Sequence, residues 1–202
     1  FSKKAKEYGA LKILSANLMV YGLYKNAREL HCDIAVGDTQ SFGLELQFGG
    51  PYVGYIACKE EISRQLPGRI VGATKDTEGR RGFVLTMQAR EQQKKKKKAT
   101  SNICTNQALA SLASLVGILW YGKKGMYELS LTNYKRAAYL KENLEKIRGV
   151  HCFSGQPFFN EFVVKFDLPM DKILKCFKER KIMPGLYLKP YFQDFDQHLL
   201  VM

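Results

Sequence analysis

Two short stretches carry side chains that could take part in chemistry. The first is Gly37-Asp38-Thr39-Gln40-Ser41-Phe42, directly after Asp33-Ile34-Ala35-Val36, which predicts a β-strand. In open α/β sheets ligands sit at the carboxyl ends of strands, so Thr39, Gln40 and Ser41 stand where a bound group would be held. Gln40 is an amide with a delocalised nitrogen lone pair; it can donate hydrogen bonds but cannot act as a nucleophile. The second stretch is Ala99-Thr100-Ser101-Asn102, just ahead of a long apolar helical pattern. Hydroxyls and free N–H groups at a helix start converge on an anion, helped by the helix dipole. Arg90 and Lys98 flank this loop and could neutralise a phosphate or carboxylate; Arg69 is a weaker candidate. Arginine makes bidentate contacts with such groups, whereas lysine acts as a point charge. Ser, Thr and Asn are also preferred helix caps, so Thr100, Ser101 and Asn102 could serve the helix, an anion, or both.

The run from Cys32 to Phe42, followed by Gly49-Gly50-Pro51, is similar to the strand and loop that carry the cofactor lysine in aminotransferase-fold pyridoxal phosphate enzymes. In the catalytic subunit of glycine decarboxylase that stretch reads Asn-Leu-His-Lys-Thr-Phe, then glycines and a proline. It lies over Gly37 to Pro51 without a gap, and its lysine falls on Gln40. A longer stretch, Pro67 to Leu109, contains Arg-Ile-Val-Gly, Gln-Ala-Arg-Glu-Gln and Ala-Thr-Ser-Asn-Ile-Cys-Thr-Asn-Gln in order. It resembles the non-cofactor subunit (subunit 1) of the glycine cleavage system P-protein family. The likeness covers most of the chain and is weakest after about His151. One departure is the all-lysine run Lys94 to Lys98, where the family mixes basic, acidic and apolar residues.

The resemblance implies an α/β chain: a fragment of a pyridoxal-phosphate-dependent, aminotransferase-like (fold type I) subunit. Residues 1–125 would be the carboxyl-terminal part of the large domain and 126–202 an incomplete small α+β domain, with the boundary in the long helix around Glu128 to Arg148. It further implies a subunit of glycine decarboxylase (aminomethyl-transferring), an oxidoreductase that decarboxylates glycine and passes the aminomethyl group to a lipoylated carrier protein. Pyridoxal phosphate would be bound covalently by a partner, the catalytic subunit 2, in a heterodimer or heterotetramer. With Gln40 at the lysine position this chain would hold no catalytic residue of its own. Thr100, Ser101, Asn102, Arg90 and Lys98 would bind the partner's cofactor across the subunit interface. In desulfurase-like members of the fold a Gly-Thr-x-Asn loop sends its threonine to the phosphate in this way. A catalytically inert, dimerising or regulatory relative is the alternative.

Composition narrows the field. The chain has 202 residues, 46% of them hydrophobic, enough for one core or two small ones. It begins at Phe1; with the resemblance, this points to a fragment lacking the amino-terminal half of the large domain. No stretch approaches the ~20 uninterrupted apolar residues of a membrane span. Lys94 to Lys98 supply five of the +13 net charge, and the remaining +8 is interspersed with acids, a weak field for a polyanion. No nucleic-acid or membrane partner is therefore expected, although a basic polyanion-binding module remains a further alternative. The run also suits an acidic carrier protein. Five scattered cysteines give neither a disulfide framework nor a metal spacing and fit a reducing cytoplasm, with the mitochondrion left open. The pairs His31-Cys32 and His151-Cys152 point to opposite faces of an extended chain and make poor metal chelates. Cys104 has no base placed beside it. There is no Walker loop, no Gly-x-Ser-x-Gly elbow and no His-Glu-x-x-His.

The expected elements position these stretches. Ser2 to Tyr8 ends a helix at Gly9, and Ala10 to Ala16 reads as a buried strand. Tyr52 to Cys58 is a further strand, and Glu60 to Gln65 a short helix. Asp76-Thr77-Glu78-Gly79 predicts a hairpin between Ile70 and Met87, with Arg80 and Arg81 at a solvated tip. Thr105 to Tyr121 predicts a helix buried on most faces, ending at Gly122. A second helix, Gly125 to Lys146, would turn Leu129, Tyr134, Leu140, Leu144 and Ile147 inward. After Gly149 a strand (Asn160 to Phe166), a helix (Met170 to Lys181), a turn at Met183-Pro184-Gly185 and a strand (Leu199 to Val201) complete the chain.

Overall fold

The computed structural model describes residues 2–46, 49–67, 70–86, 106–153, 155 and 157–202. They divide into two compact units. One comprises Phe1–Leu18 with Lys25–Gly122, the other Met19–Tyr24 with Lys123–Met202.

The first unit opens with α1 (Ser2–Glu7), which gives way to Gly9 at φ 63°, and is followed by β1 (Ile13–Ser15). β2 (Ile34–Asp38) pairs parallel to β1 and antiparallel to β3 (Gly54–Cys58). The order β1-β2-β3 puts β2 in the middle, and it contributes the one buried strand residue of this sheet, Ala35. The Asp33 carboxylate fastens the amino-terminal end of β2 on both sides, accepting from the Lys12 backbone N–H at 2.8 Å and from Lys59 Nζ at 2.5 Å. The Lys59 ammonium, with the Lys12 N–H, holds the Asp33 carboxyl below the usual carboxylate range. β1 differs from the expected buried strand: it is short, and Ile13 is exposed. Only its β2 side meets another strand among the described residues.

A 3-10 helix, Glu60–Gln65, leads into the hairpin of β4 (Ile70–Lys75) and β5 (Arg81–Thr86). Its tip is wired locally. Asp76 accepts from the backbone of Glu78 and Arg80 and pairs with the Arg80 guanidinium at 2.8 Å. Arg81 lies over the Phe83 ring, 4.9 Å from its centroid.

The helical run Ala108–Leu144 is broken at Gly122 (φ 59°, ψ −175°), a left-handed φ that suits glycine. We call 108–121 α2 and 123–144 α3. α2 belongs to the first unit, and its expected burial does not hold within this chain. Leu109, Leu112, Leu115, Val116, Leu119 and Trp120 are exposed, and the buried position is Ser114. The described part of the unit meets α2 along one narrow strip, where Gly117 and Ala113 sit against Phe42 and Gly43.

The second unit is a four-stranded antiparallel sheet in the order β6-β7-β9-β8, packed with α3 and α4. Its strands are β6 (Val150–Cys152), β7 (Phe162–Phe166), β8 (Leu186–Tyr187) and β9 (His198–Val201), and α4 spans Met170–Glu179. β7 alternates strictly: Phe162, Val164 and Phe166 turn inward to join Met170 and Leu199 in the core, and Lys165 turns out. On α3, Leu144 packs against this core, whereas Leu140 and Ile147 stay exposed along a cleft of about 650 Å³ that Ile182 and Met183 also line. The buried position of α3 is Ser130. Its Oγ reaches the Met19 carbonyl at 2.6 Å and so fastens a 3-10 turn, Leu18–Gly22.

Candidate functional site

β2 delivers residues 37 to 43 at its carboxyl end, and nearly every group in that loop is held. Gly37 is clamped between the Ala16 carbonyl oxygen and the Tyr55 ring, and the Tyr55 hydroxyl donates to the same carbonyl at 2.9 Å. No side chain fits there. The Asp38 carboxylate accepts from the Gln40 backbone N–H at 3.0 Å, an Asx-type turn that rotates the chain out of the strand. Thr39 N–H donates to the Val53 carbonyl at 2.8 Å, and Phe42 N–H to the Thr39 carbonyl at 2.9 Å. Phe42 is fully buried and anchors the loop. Gly43 (φ 86°) then passes close to the Ala113 carbonyl of α2.

Gln40 itself is engaged. Its Nε2 donates to the Leu44 carbonyl at 3.0 Å and the Leu44 N–H returns to the Gln40 carbonyl at 3.3 Å, so side chain and backbone together close one turn. An amide that donates to a carbonyl tightens this loop but offers no lone pair to an electrophile. The residues at this strand end therefore do not fit covalent attachment of an aldehyde cofactor. Next to the loop a cleft of about 1020 Å³ opens between Leu44, Glu45 and Pro51 on one side and Leu109, Val116 and Trp120 of α2 on the other. Its walls are mainly apolar, and Glu45 is its one charged group among the described residues.

Composition and spacing gave no sign of the pair that locks this loop to α2. Thr39 Oγ1 lies 2.8 Å from Ser114 Oγ and 3.3 Å from the Val53 carbonyl, and both hydroxyls are buried. The one available signal was a serine in the middle of the apolar pattern of α2. When one hydroxyl is removed the other keeps a backbone acceptor, Thr39 Oγ1 the Val53 carbonyl at 3.3 Å and Ser114 Oγ the Thr39 carbonyl at 3.4 Å, so each single change forfeits the shared bond at a cost of about 1 kcal/mol and the second change has no shared bond left to lose. Thr39→Val and Ser114→Ala should each lower the stability of the first unit by about 1 kcal/mol, and the double variant by at least ~0.5 kcal/mol less than their sum. Urea unfolding of the four proteins in a double-mutant cycle measures this, and strict additivity would contradict the coupling.

The anion-binding candidates Thr100, Ser101, Asn102, Arg90 and Lys98, together with Arg69 and Cys104, lie outside the described residues. Arg80 is taken up by Asp76 and Glu78 at the hairpin tip. Ser41 Oγ donates to Asn17 Oδ1 at 3.4 Å. His31 adopts φ 55° in the turn before β2, and His151 Nε2 lies 3.0 Å from Asp167 Oδ1. Among the described residues no group of three or more His, Cys, Asp or Glu side chains could hold a metal ion, and no helix is long and apolar enough to cross a membrane.

Residues 1–190 match the family model described as glycine cleavage system P-protein. This chain belongs to the glycine cleavage system P-protein family. A P-protein relative from Protochlamydia amoebophila, named "Probable glycine dehydrogenase (decarboxylating) subunit 1", is 58% identical over 200 residues, 99% of this chain and 45% of the relative. One of the same name from Desulfitobacterium hafniense is 45% identical over 95% of this chain and 43% of its own length. The chain thus spans less than half the length of the curated P-protein relatives it matches. Among solved structures, an inhibitor-bound glycine decarboxylase (P-protein) of the glycine cleavage system superposes with a TM-score of 0.86 at 38% identity, covering 98% of this chain and 45% of that one. A sphingosine-1-phosphate lyase from Burkholderia pseudomallei (TM-score 0.62) and a cysteine desulfurase from Escherichia coli (0.60), both 14% identical, share the fold. That fold is the α/β fold type I of pyridoxal-phosphate-dependent enzymes, matched here over part of its length.

Proposed function

We propose that this chain is part of the non-cofactor subunit of a glycine decarboxylase, and that it completes the active site of a cofactor-bearing partner. The observation that carries this reading is Gln40. At the strand end that, by the resemblance above, corresponds to the cofactor lysine of the catalytic subunit, this chain has an amide whose nitrogen is spent on the Leu44 carbonyl. Pyridoxal phosphate, held covalently by the partner subunit, would supply the electron sink for loss of carbon dioxide from glycine. The chain's own residues would bind and orient. Thr100, Ser101 and Asn102, which precede α2 in the sequence, would offer a hydroxyl and N–H groups to the phosphate. Arg90 would oppose the charge of a phosphate or of the glycine carboxylate, and Lys98, with its neighbours Lys94 to Lys97, would face an acidic lipoyl carrier. In this reading residues 1–125 are large-domain and 126–202 small-domain sequence, and the complex works in the cytoplasm.

The test is reconstitution. The complete subunit, mixed with a cofactor-bearing partner subunit, should support glycine-dependent exchange of carbon dioxide, and Thr100→Ala should lower that exchange about 10-fold or more by removing one donor to the phosphate. Unaltered exchange in Thr100→Ala would remove the phosphate role. Equal exchange by the partner alone would leave a merely dimerising or regulatory chain.

A further inference from the structure

The outer face of the β7–β9 ladder carries a histidine that the reading above does not use. His198 is only 8% exposed, and its Nδ1 is buried without a hydrogen-bond partner among the described residues. Strand alternation explains the placement. Leu199 turns into the core, so His198 turns to the opposite face, directly across from Lys165 in the ladder. Two phenylalanines cover it there. The Phe195 ring lies 4.7 Å from the imidazole, the Phe153 ring 5.6 Å from it, and the two phenylalanines stack on each other at 6.2 Å. Phe195 belongs to the connection between β8 and β9, which folds back on itself. Phe195 N–H donates to the Phe192 carbonyl, His198 N–H to the Phe195 carbonyl, and Leu188 N–H to the His198 carbonyl. The same connection carries Asp196, which accepts from the Tyr187 hydroxyl at 2.8 Å and pairs with Lys189 at 2.7 Å.

We propose that His198, Phe195 and Phe153 form an acid-sensitive latch: the neutral imidazole holds residues 188–197 closed over the sheet, and its protonation releases them. The charged groups around the ring favour this direction. Lys165 faces it from β7 and opposes a second positive charge. On its own connection Asp196 is already shared by Tyr187 and Lys189, and Asp194 is exposed. From the β6 side the contact is Phe153, and His151 is turned to Asp167. Burial, and after it Lys165, keeps the imidazole below its ordinary value of 6.5, while the Phe195 backbone offsets this in part. An opened ring titrates near 6.5, so the closed loop is fully favoured above that pH and weakens as the pH falls below it towards the lower value of the closed form.

Hydrogen exchange of the whole chain at pH 7.5 and pH 5.0, normalised for intrinsic exchange, tests the latch. In the native protein, amides of 188–197 should lose about 10-fold in protection at the lower pH while 162–166 keep theirs. His198→Phe, which fills the same space without titrating, should be protected equally at both. Lys165→Gln, which removes the charge opposing the imidazolium in the closed loop, should weaken the acid opening, so that 188–197 lose less protection at pH 5.0 than in the native protein. Equal protection of the native loop at the two pH values would overturn the proposal, as would full pH dependence in His198→Phe. Should His198→Phe not fold, an acid loss of protection in Lys165→Gln as large as in the native protein overturns it by itself.

Discussion

Leu199→Ala should lower the unfolding free energy of the second unit by about 3–5 kcal/mol. Leu199 is 1% exposed, and in the antiparallel pairing it stands opposite Val164 on β7 and Tyr187 on β8. One truncation therefore opens a void against two strands at once. The ladder fixes the backbone on both sides, so the walls cannot close around the gap, and the loss lies toward the upper part of the range for buried leucines. Urea unfolding followed by pulsed alkylation of Cys152, on β6 at the far side of β7, reads this unit. Unfolding at the native urea concentration would show that the cavity had collapsed at no cost.

The second large effect is Gly37→Ala, expected to cost about 3 kcal/mol or more, at or beyond the upper end of ordinary overpacking. A methyl group at residue 37 would land on the Ala16 carbonyl oxygen, with Tyr55 Cε1 2.6 Å away and Tyr55 Oη 2.9 Å away. Neither wall can retreat cheaply. The Ala16 carbonyl accepts the Tyr55 hydroxyl, and the Ala16 N–H is bonded to the Val36 carbonyl at 3.0 Å. The first unit would have to give up that junction between β1, β2 and β3 or displace the strand end that carries Gln40. Faster alkylation of Cys58 on β3, with Cys152 unchanged, is the expected signature. Equal rates at Cys58 in the two proteins would refute it.

Elements with local causes could be read directly from the sequence. Asp76 to Gly79 spelled out a hairpin because its turn, caps and ion pairs lie within five residues of one another. The strand delivering Gln40 and the break at Gly122 were legible for similar reasons, one from a short apolar run ending in turn residues and the other from a glycine in a helical pattern. β6 and β8 were not, because strands of three and two residues are defined by the neighbours they pair with and not by their own composition. The burial expected for α2 failed for a related reason. An apolar pattern records every surface a helix can cover, and the described part of this chain meets only the strip around Ala113, Ser114 and Gly117. In the candidate site, the strand-end position of Gln40 was legible. Its bond to Leu44 and the Thr39–Ser114 lock were not, since both depend on a loop path that periodicity cannot supply.

The exposed side of α2 has an optical consequence. Trp120 is the only tryptophan in the chain and is 86% exposed at the rim of the cleft beside the Gln40 loop. Its indole emission in the free chain is therefore that of a water-bathed fluorophore, and a subunit seated along α2 shifts it to shorter wavelength and shields it from iodide quenching. One that assembles elsewhere leaves the spectrum where it was.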